Sequence, residues 1–373
     1  MALNEELISI NASHSIYVNR LASGLGNDAI PFIDEVSAKV NARLAREVGR
    51  NLTPMRREKL LEDIHKITAD NLKEYTTELS KDHVEFGGYE SAFQAKSVNG
   101  LLTNVETVAA STATVNRTAK NSLITLGEGS YTTYNHMLSK YWKDNAEQIT
   151  NIVANGFQSG MTTREIANTV MGEVDLRLSK SKKQAMSIAS TGTNHYANQA
   201  RKAYFEGNDD VIIGTRRIST LDSATSQFCR GIDQTVVLKS SPKYRSAFAP
   251  FHPRCRTSNV PEINGKYAQD DDEDERASNF RVDGDLDPKP TDSKNIYYDE
   301  LAKLDAGSQD AVLGPTLGKA YRKMLRDGGT PAEFAKLTVN EKYNKAYTIT
   351  ELKKQDNVLA KILKEQAPKK KAK

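Results

Sequence analysis

The chain changes character at Gly207-Asn-Asp-Asp210, and that break constrains the fold more than any other feature. Upstream of it, apolar residues return every three or four positions, the spacing of one helix face. Ile33, Val36, Val40, Leu44 and Val48 form one such stripe, and Leu61, Ile64, Leu72, Tyr75 and Leu79 form a second. Pro54 stands just ahead of the second stripe, where a helix starts well. Ile149, Ile152, Val153, Gly156 and Phe157 make a third face, broken by Gly160. Thr162-Thr-Arg-Glu165 then offers a capping box to a helix through Ile166 and Val170. A long helix is expected from about Ser181 to Phe205, with Ile188, Tyr196, Ala200 and Tyr204 on its buried side. The stretches 80–100 and 127–131 carry glycines and polar clusters and read as loops. Trp142, the single tryptophan, reads as an anchor between helices.

Downstream of the break the texture is different. Val211-Ile-Ile and Thr235-Val-Val-Leu are short β-branched runs bounded by turn residues, which predicts strands of a small sheet. Ser240 to Arg256 is loop, and 265–294 is acidic, rich in Pro and Asp, and reads as a linker. A helical end follows from Asn295 to about Leu363, with Thr330-Pro-Ala-Glu-Phe giving an N-cap and a proline at the first helical position. The expected class is α+β: a mainly helical N-terminal half, a small loop-rich β-containing module near 207–263, and a helical C-terminal domain. The expected divisions are a helical region at 1–145, a helical hairpin with the module at 146–263, and an acidic linker at 264–294. A helical domain at 295–363 and a basic tail at 364–373 complete them.

Composition narrows the function classes. With 373 residues, two or three domains of about 100–200 residues fit. No run approaches the roughly 18–20 apolar residues that span a bilayer, and the start Met-Ala-Leu-Asn-Glu-Glu has neither the basic nor the apolar segment of a secretory signal. No membrane anchor is expected. Two cysteines argue against a disulfide scaffold and suit synthesis in a reducing cytoplasm. The net charge of +4 is a small difference between 52 basic and 48 acidic residues. Its distribution says more: an acidic cluster at Asp270–Glu275 and a basic tail at Pro368–Lys373, which suits either a solvated end or contact with nucleic acid phosphates.

Both cysteines fall in one segment, Leu221-Asp222-Ser-Ala-Thr225-Ser-Gln-Phe-Cys229, closed by Pro250-Phe-His252-Pro-Arg-Cys255-Arg256. Zinc takes thiolate and imidazole ligands in a tetrahedral shell, and His252-x-x-Cys255 with Cys229 supplies three of the four. Asp222 or Asp233 would have to be the fourth. Plain packing of two thiols and a Cys229–Cys255 disulfide are the other arrangements open to these residues. Whichever holds, the three side chains are expected to converge and keep the loop closed. Asp222 and Thr225 suit an Asx-type turn, and Arg216, Arg217, Arg254 and Arg256 are the candidate partners for the carboxylate, with Arg256 placed to close the segment. Asp222 with His252 makes a minimal acid–base pair, but no nucleophile or phosphate-binding glycine loop accompanies it. The helices around Gln158–Ala167 imitate a helix-turn-helix, with Arg164 the one obvious phosphate contact. No catalytic residue or organic cofactor is assigned; zinc is the one candidate cofactor.

The Asp222–Arg256 pattern resembles the signature of the phage Mu protein F-like family, the minor head (head morphogenesis) proteins of tailed bacteriophages. Three further stretches are similar to that family: the opening through Ser13-His14-Ser-Ile-Tyr-Val-Asn-Arg20, the run Gly160-Met-Thr-Thr-Arg-Glu-Ile-Ala167, and Leu301 to Leu352. Two positions depart from it. Ser190-Thr191-Gly192 stands where the family commonly has Arg-Thr-Glu, and Leu317 where it has an arginine. The resemblance implies a virion protein made in the host cytoplasm and carried in the phage head. It implies a low-copy, portal-associated minor capsid protein serving viral assembly, DNA packaging or ejection. The portal protein, the major capsid or scaffold protein and packaged DNA are the partners it implies. The residues by themselves leave two other classes open: a metal-dependent enzyme acting on nucleic acid, and a DNA-binding protein.

Overall fold

A computed structural model describes residues 2–50, 52–127, 129–267, 274–280 and 290–366. Five helices carry most of the N-terminal half: α1 (Ala2–Asn27), α2 (Ala29–Ala45), α3 (Pro54–Asn99), α4 (Thr112–Asn121) and α5 (Tyr134–Gln158). A β1–β2 hairpin (Leu123–Gly127, Ser130–Thr133) lies between the last two. The one-turn α6 (Thr163–Glu165) and a π-helical turn at Ile166–Val170 lead into α7 (Met171–Glu206). The helix expected from Ser181 therefore begins ten residues earlier, without a break from the preceding turn. The capping box forms as expected, with the Thr162 amide donating to Glu165 at 2.8 Å and the Glu165 amide donating to Thr162 Oγ1 at 3.3 Å.

The expected stripes are the buried faces. Ile33, Val36, Val40 and Leu44 pack from α2, and Ile64, Leu72, Tyr75 and Leu79 from α3, where Leu60 is the buried residue in place of the expected Leu61, which is half-buried. Val48 lies past the end of α2 and is only half-buried. Two expectations are corrected. First, 80–100 is not a loop, because α3 runs through Gly87-Gly88 to Asn99 over 46 residues. The glycine pair is a packing notch. A Cβ at Gly87 would stand 2.8 Å from Val115 Cγ1, and one at Gly88 would stand 2.4 Å from Thr112 Oγ1, where α4 crosses. The helix-propensity cost of about 1 kcal/mol per glycine is offset by that close approach. Second, the division at 145/146 falls inside α5, whose buried face continues from Tyr141 through Ile149 to Gly156. The helix ends where Gly160 takes φ +74° and the Met161 amide donates to the Gly156 carbonyl at 3.1 Å, a glycine C-cap.

α7 is the spine of the molecule. From Thr191 to Ala200 every residue is buried, including Thr193, Asn194, His195 and Asn198. Burial on all sides favours partners for the polar groups. His195 Nε2 lies 2.8 Å from the Ala119 carbonyl, and Arg201 Nε donates to Glu90 at 2.7 Å. Gly192 makes room for a neighbour: a Cβ there would meet His83 Cε1 at 2.5 Å.

The module after the break contains β3 (Ile212–Ile218), α8 (Gln227–Ile232), β4 (Val236–Leu238) and β5 (Ser258–Ile263). The two predicted strands are present, and β5 joins them in an antiparallel sheet of order β4-β3-β5. One apolar cluster holds this sheet to the N-terminal end of α1 and the C-terminal end of α7, through Leu3, Leu7, Tyr204, Phe205, Ile212 and Val260.

The described parts of the expected linker are not free. β6 (Glu275–Arg276) pairs with β7 (Thr291–Asp292), Ser278 bridges to Leu221, and the Arg276 side chain is 1% exposed. Most of the acidic cluster Asp270–Glu275 and the basic tail from 367 onward lie outside the described residues. The C-terminal part consists of α9 (Tyr297–Ala302), α10 (Ala306–Leu313), α11 (Pro315–Arg326) and α12 (Pro331–Thr338). The two-stranded β8–β9 (Val339–Asn340, Lys345–Ala346), α13 (Ile349–Lys354) and α14 (Val358–Glu365) follow. Thr330 and Glu333 make the expected cap. Leu317 sits in this domain's core with Tyr298, Tyr321 and Phe334, where a charged residue would have no solvent. The whole is α+β as expected, and no helix among the described residues is long and apolar enough to cross a membrane.

Candidate metal centre

The segment from Leu221 to Arg256 folds so that its two ends meet. Asp222 opens an Asx turn: its Oδ1 accepts from the Ala224 amide and from Thr225 Oγ1, both at 3.1 Å. Arg256 then closes on the same carboxylate in a bidentate pair, Nη1 to Oδ2 at 2.6 Å and Nη2 to Oδ1 at 2.7 Å. Parallel charge-assisted bonds of this kind fix orientation as well as distance. The Asp222 hydrogen bond also holds the Arg256 guanidinium above its usual range. Of the four candidate arginines, Arg256 is the one that pairs with Asp222. Arg216 pairs with Glu262 and Arg217 with Glu341, while Arg254 contributes its backbone amide to Thr191 Oγ1 at 3.0 Å. Thr191 is the middle residue of Ser190-Thr191-Gly192, so this stretch is joined directly to the signature loop.

Between these ends lie the thiols and the imidazole. Ser226 caps α8, its Oγ accepting from the Cys229 amide at 3.3 Å, which sets Cys229 at the third helical position. The loop returns through a cis Ala249–Pro250 bond to a tight turn at His252-Pro-Arg-Cys255. In that turn the Cys255 amide donates to the His252 carbonyl at 3.1 Å. Pro253 at the second position and Arg254 at φ +59° in the third are the pattern of a type II turn. A non-glycine residue in that region costs on the order of 1–2 kcal/mol. The turn brings His252 and Cys255 to one side, facing Cys229.

The expected convergence occurs. Cys229 Sγ lies 3.8 Å from Cys255 Sγ and 3.2 Å from His252 Nε2. All three ligand atoms fall within 4.8 Å of one another, the one Cys/His/Asp/Glu cluster of metal-binding geometry among the described residues. His252 Nδ1 lies 2.9 Å from the Pro253 carbonyl, so in the neutral ring Nδ1–H donates there and Nε2 is the acceptor facing the thiols. Both cysteines are buried and His252 is half-buried. Burial disfavours the Cys255 thiolate, yet a hydrogen bond from Cys229 and, when the ring is protonated, the hydrogen bond and charge of His252 bring that thiol well below its usual range. The Cys229 thiol is pushed up by its hydrogen bond to Cys255 and by burial.

Two further expectations are corrected. Neither Asp222 nor Asp233 reaches the cluster. Asp222 is committed to Arg256, and Asp233 to Arg276 at 3.1 Å, with both members of the second pair almost fully buried. Asp222 and His252 are likewise not an acid–base pair, since each is bonded elsewhere. The residue that sequence reasoning missed is Ser226, whose Oγ stands 2.8 Å from His252 Nε2. Its signal was the N-cap spacing Ser226-x-x-Cys229. Arg276 was missed as well, because its acidic surroundings read as linker.

The site also joins the module to the C-terminal domain. Phe228, Cys229, Ile232, Phe251 and Cys255 form one apolar cluster with Val339. Tyr297 Oη donates to the Asp222 carbonyl at 2.7 Å, and its amide donates to Asp233 at 2.8 Å. No protein-family model matches this chain, and no curated protein or solved structure matches it either.

Proposed function

We propose that this chain is a minor head protein of a tailed bacteriophage, a structural part of the virion that works near the portal in head morphogenesis, DNA packaging or ejection. The observation that carries the reading is how the signature residues are used. Asp222, Thr225, His252, Cys255 and Arg256 spend their polar groups on one another and on nearby backbone, closing a loop at the junction of three parts of the chain. Side chains so committed serve to hold a shape. A fixed shape with mixed-sign charge suits docking to a portal, capsid or scaffold protein. The basic tail supplies a sequence-independent contact to packaged DNA.

Mass spectrometry of purified virions and of proheads tests this directly. The protein is expected in proheads at low copy relative to the major capsid protein. Its absence from both particles would overturn the reading, whatever its neighbours in the genome.

A further inference from the structure

We propose that Cys229, His252 and Cys255 bind a single zinc ion, with Ser226 beside the imidazole, and that this ion locks the module to the C-terminal domain. The inference stands apart from the head-protein reading, since it rests on the geometry of four side chains.

Distance is the first argument. With Zn–S of about 2.3 Å and a tetrahedral angle, two thiolate sulfurs stand about 3.8 Å apart, and a sulfur stands about 3.5 Å from an imidazole nitrogen bound at roughly 2.0–2.1 Å. The separations here are 3.8 Å and 3.2 Å. A disulfide would need the sulfurs at about 2.05 Å.

Orientation is the second argument. A metal-bound histidine usually donates its other ring N–H to a carbonyl or carboxylate, which fixes the tautomer. His252 Nδ1 has that partner in the Pro253 carbonyl. Nε2 is then directed at Cys229 and Ser226. Ser226 Oγ, at 2.8 Å from Nε2, is a side-chain oxygen bonded to that imidazole. Two thiolates and one imidazole select a borderline-soft ion such as zinc over magnesium or calcium, which prefer oxygen.

Placement is the third argument. The ligands come from the start of α8 and from a turn that follows a long loop, so the ion would join stretches of chain 23 to 26 residues apart. α8 is also pressed against the C-terminal domain, since a Cβ at Gly231 would meet Val339 Cγ1 at 2.2 Å. Fixing α8 by metal on one side therefore fixes the face that Val339 covers on the other.

The test uses the full chain, purified under reducing conditions with zinc supplied, and measures metal by elemental mass spectrometry alongside free thiols. About one zinc per chain is expected. Cys255→Ser and His252→Ala should each lower the zinc content by about tenfold or more, and Ser226→Ala should keep the stoichiometry while weakening affinity about tenfold in a chelator competition. A ligand variant that fails to fold leaves the wild-type chain as its own control. Cobalt replacing zinc should give thiolate-to-cobalt charge transfer and the intense visible bands of a tetrahedral site. Two free thiols with no bound zinc would overturn the proposal. So would a Cys229–Cys255 disulfide, a weak six-coordinate cobalt spectrum, or zinc content unchanged by Cys255→Ser.

Discussion

Replacing Arg276 by Met isolates what the buried ion pair contributes. The Asp233 carboxylate is 0% exposed and receives Arg276 Nη1 at 3.1 Å, Nη2 at 3.2 Å, the Ser219 amide at 2.7 Å and the Tyr297 amide at 2.8 Å. Arg276 also donates to the Ser219 carbonyl and to the Asn295 carbonyl. Met fills similar volume and removes the charge. The carboxylate then keeps two amide donors and no counter-charge, and uncompensated burial of this kind costs about 3–5 kcal/mol. That is roughly 150- to 4,000-fold in the folding equilibrium, at about 1.4 kcal/mol per decade. Urea unfolding followed by far-ultraviolet circular dichroism reads it as a lower midpoint. Adding Asp233→Leu should recover only part of the loss. It removes the stranded charge but leaves the Ser219 and Tyr297 amides without acceptors, each costing about 1–3 kcal/mol. Lys140→Ala serves as the control, because its pair with Asp144 is solvent-exposed and should contribute about 0–1 kcal/mol. If Arg276→Met falls within about 1 kcal/mol of the parent, the carboxylate is solvated and the argument from burial is wrong.

Gly192→Ala should destabilise by about 1–3 kcal/mol, because the new Cβ meets a ring held by bonds to Tyr134 and Thr193; an unchanged melting temperature would show that His83 can move aside. Acid should weaken the fold in two stages. Burial depresses His83 to about 3 and His195 to about 4, so both bind protons more readily unfolded, and their contribution is complete above about pH 6.5 and lost as pH falls toward those values. Glu90, held at about 2 against the opposing effect of burial by Arg201 and His14, adds a further loss below about pH 4.5. Urea midpoints measured on chelated protein should decline between about pH 7 and 5, and a flat profile there would refute neutral buried imidazoles. Asp222→Ala leaves Arg256 without its bidentate partner and should cost about 1–3 kcal/mol, read as faster proteolysis within 240–254; equal cleavage rates would show that the turn holds without it.

The sequence was legible wherever one physical rule decided the outcome. Stripes such as Ile33–Leu44 mark a helix face because only one side of α2 is covered. Thr162, Thr330 and Gly160 act within their own turn, so their capping roles need no knowledge of the rest. The convergence of Cys229, His252 and Cys255, and the Asp222–Arg256 closure, were legible because all five lie in one short segment with fixed chain reach. What was hidden depended on distant neighbours. Gly87 and Gly88 read as breakers until α4 supplies Val115 and Thr112. α7 looks one-sided from its large residues, although the uncharged run Ser190–Ala200 is itself the trace of burial on every side. Arg276 lies in acidic company, and its partner Asp233 is 43 positions away. Asp222 and Asp233 are the carboxylates nearest in sequence to the site, but their arginine partners, Arg256 and Arg276, hold them elsewhere.

The 46 residues of α3 have a mechanical consequence. At 1.5 Å per residue the helix is about 69 Å long, so a tilt of about 5° about one end carries the other through about 6 Å. Its near end borders a hollow lined by Arg57, Phe157, Gly160 and Arg164. At its far end the Asn99 amide grips the Thr107 carbonyl, and Thr107 bonds Tyr204 beside the sheet. The helix thus runs from the turn that follows α5 to the edge of the module, and its packing against α2, α5 and α7 ties the two ends into one rigid piece.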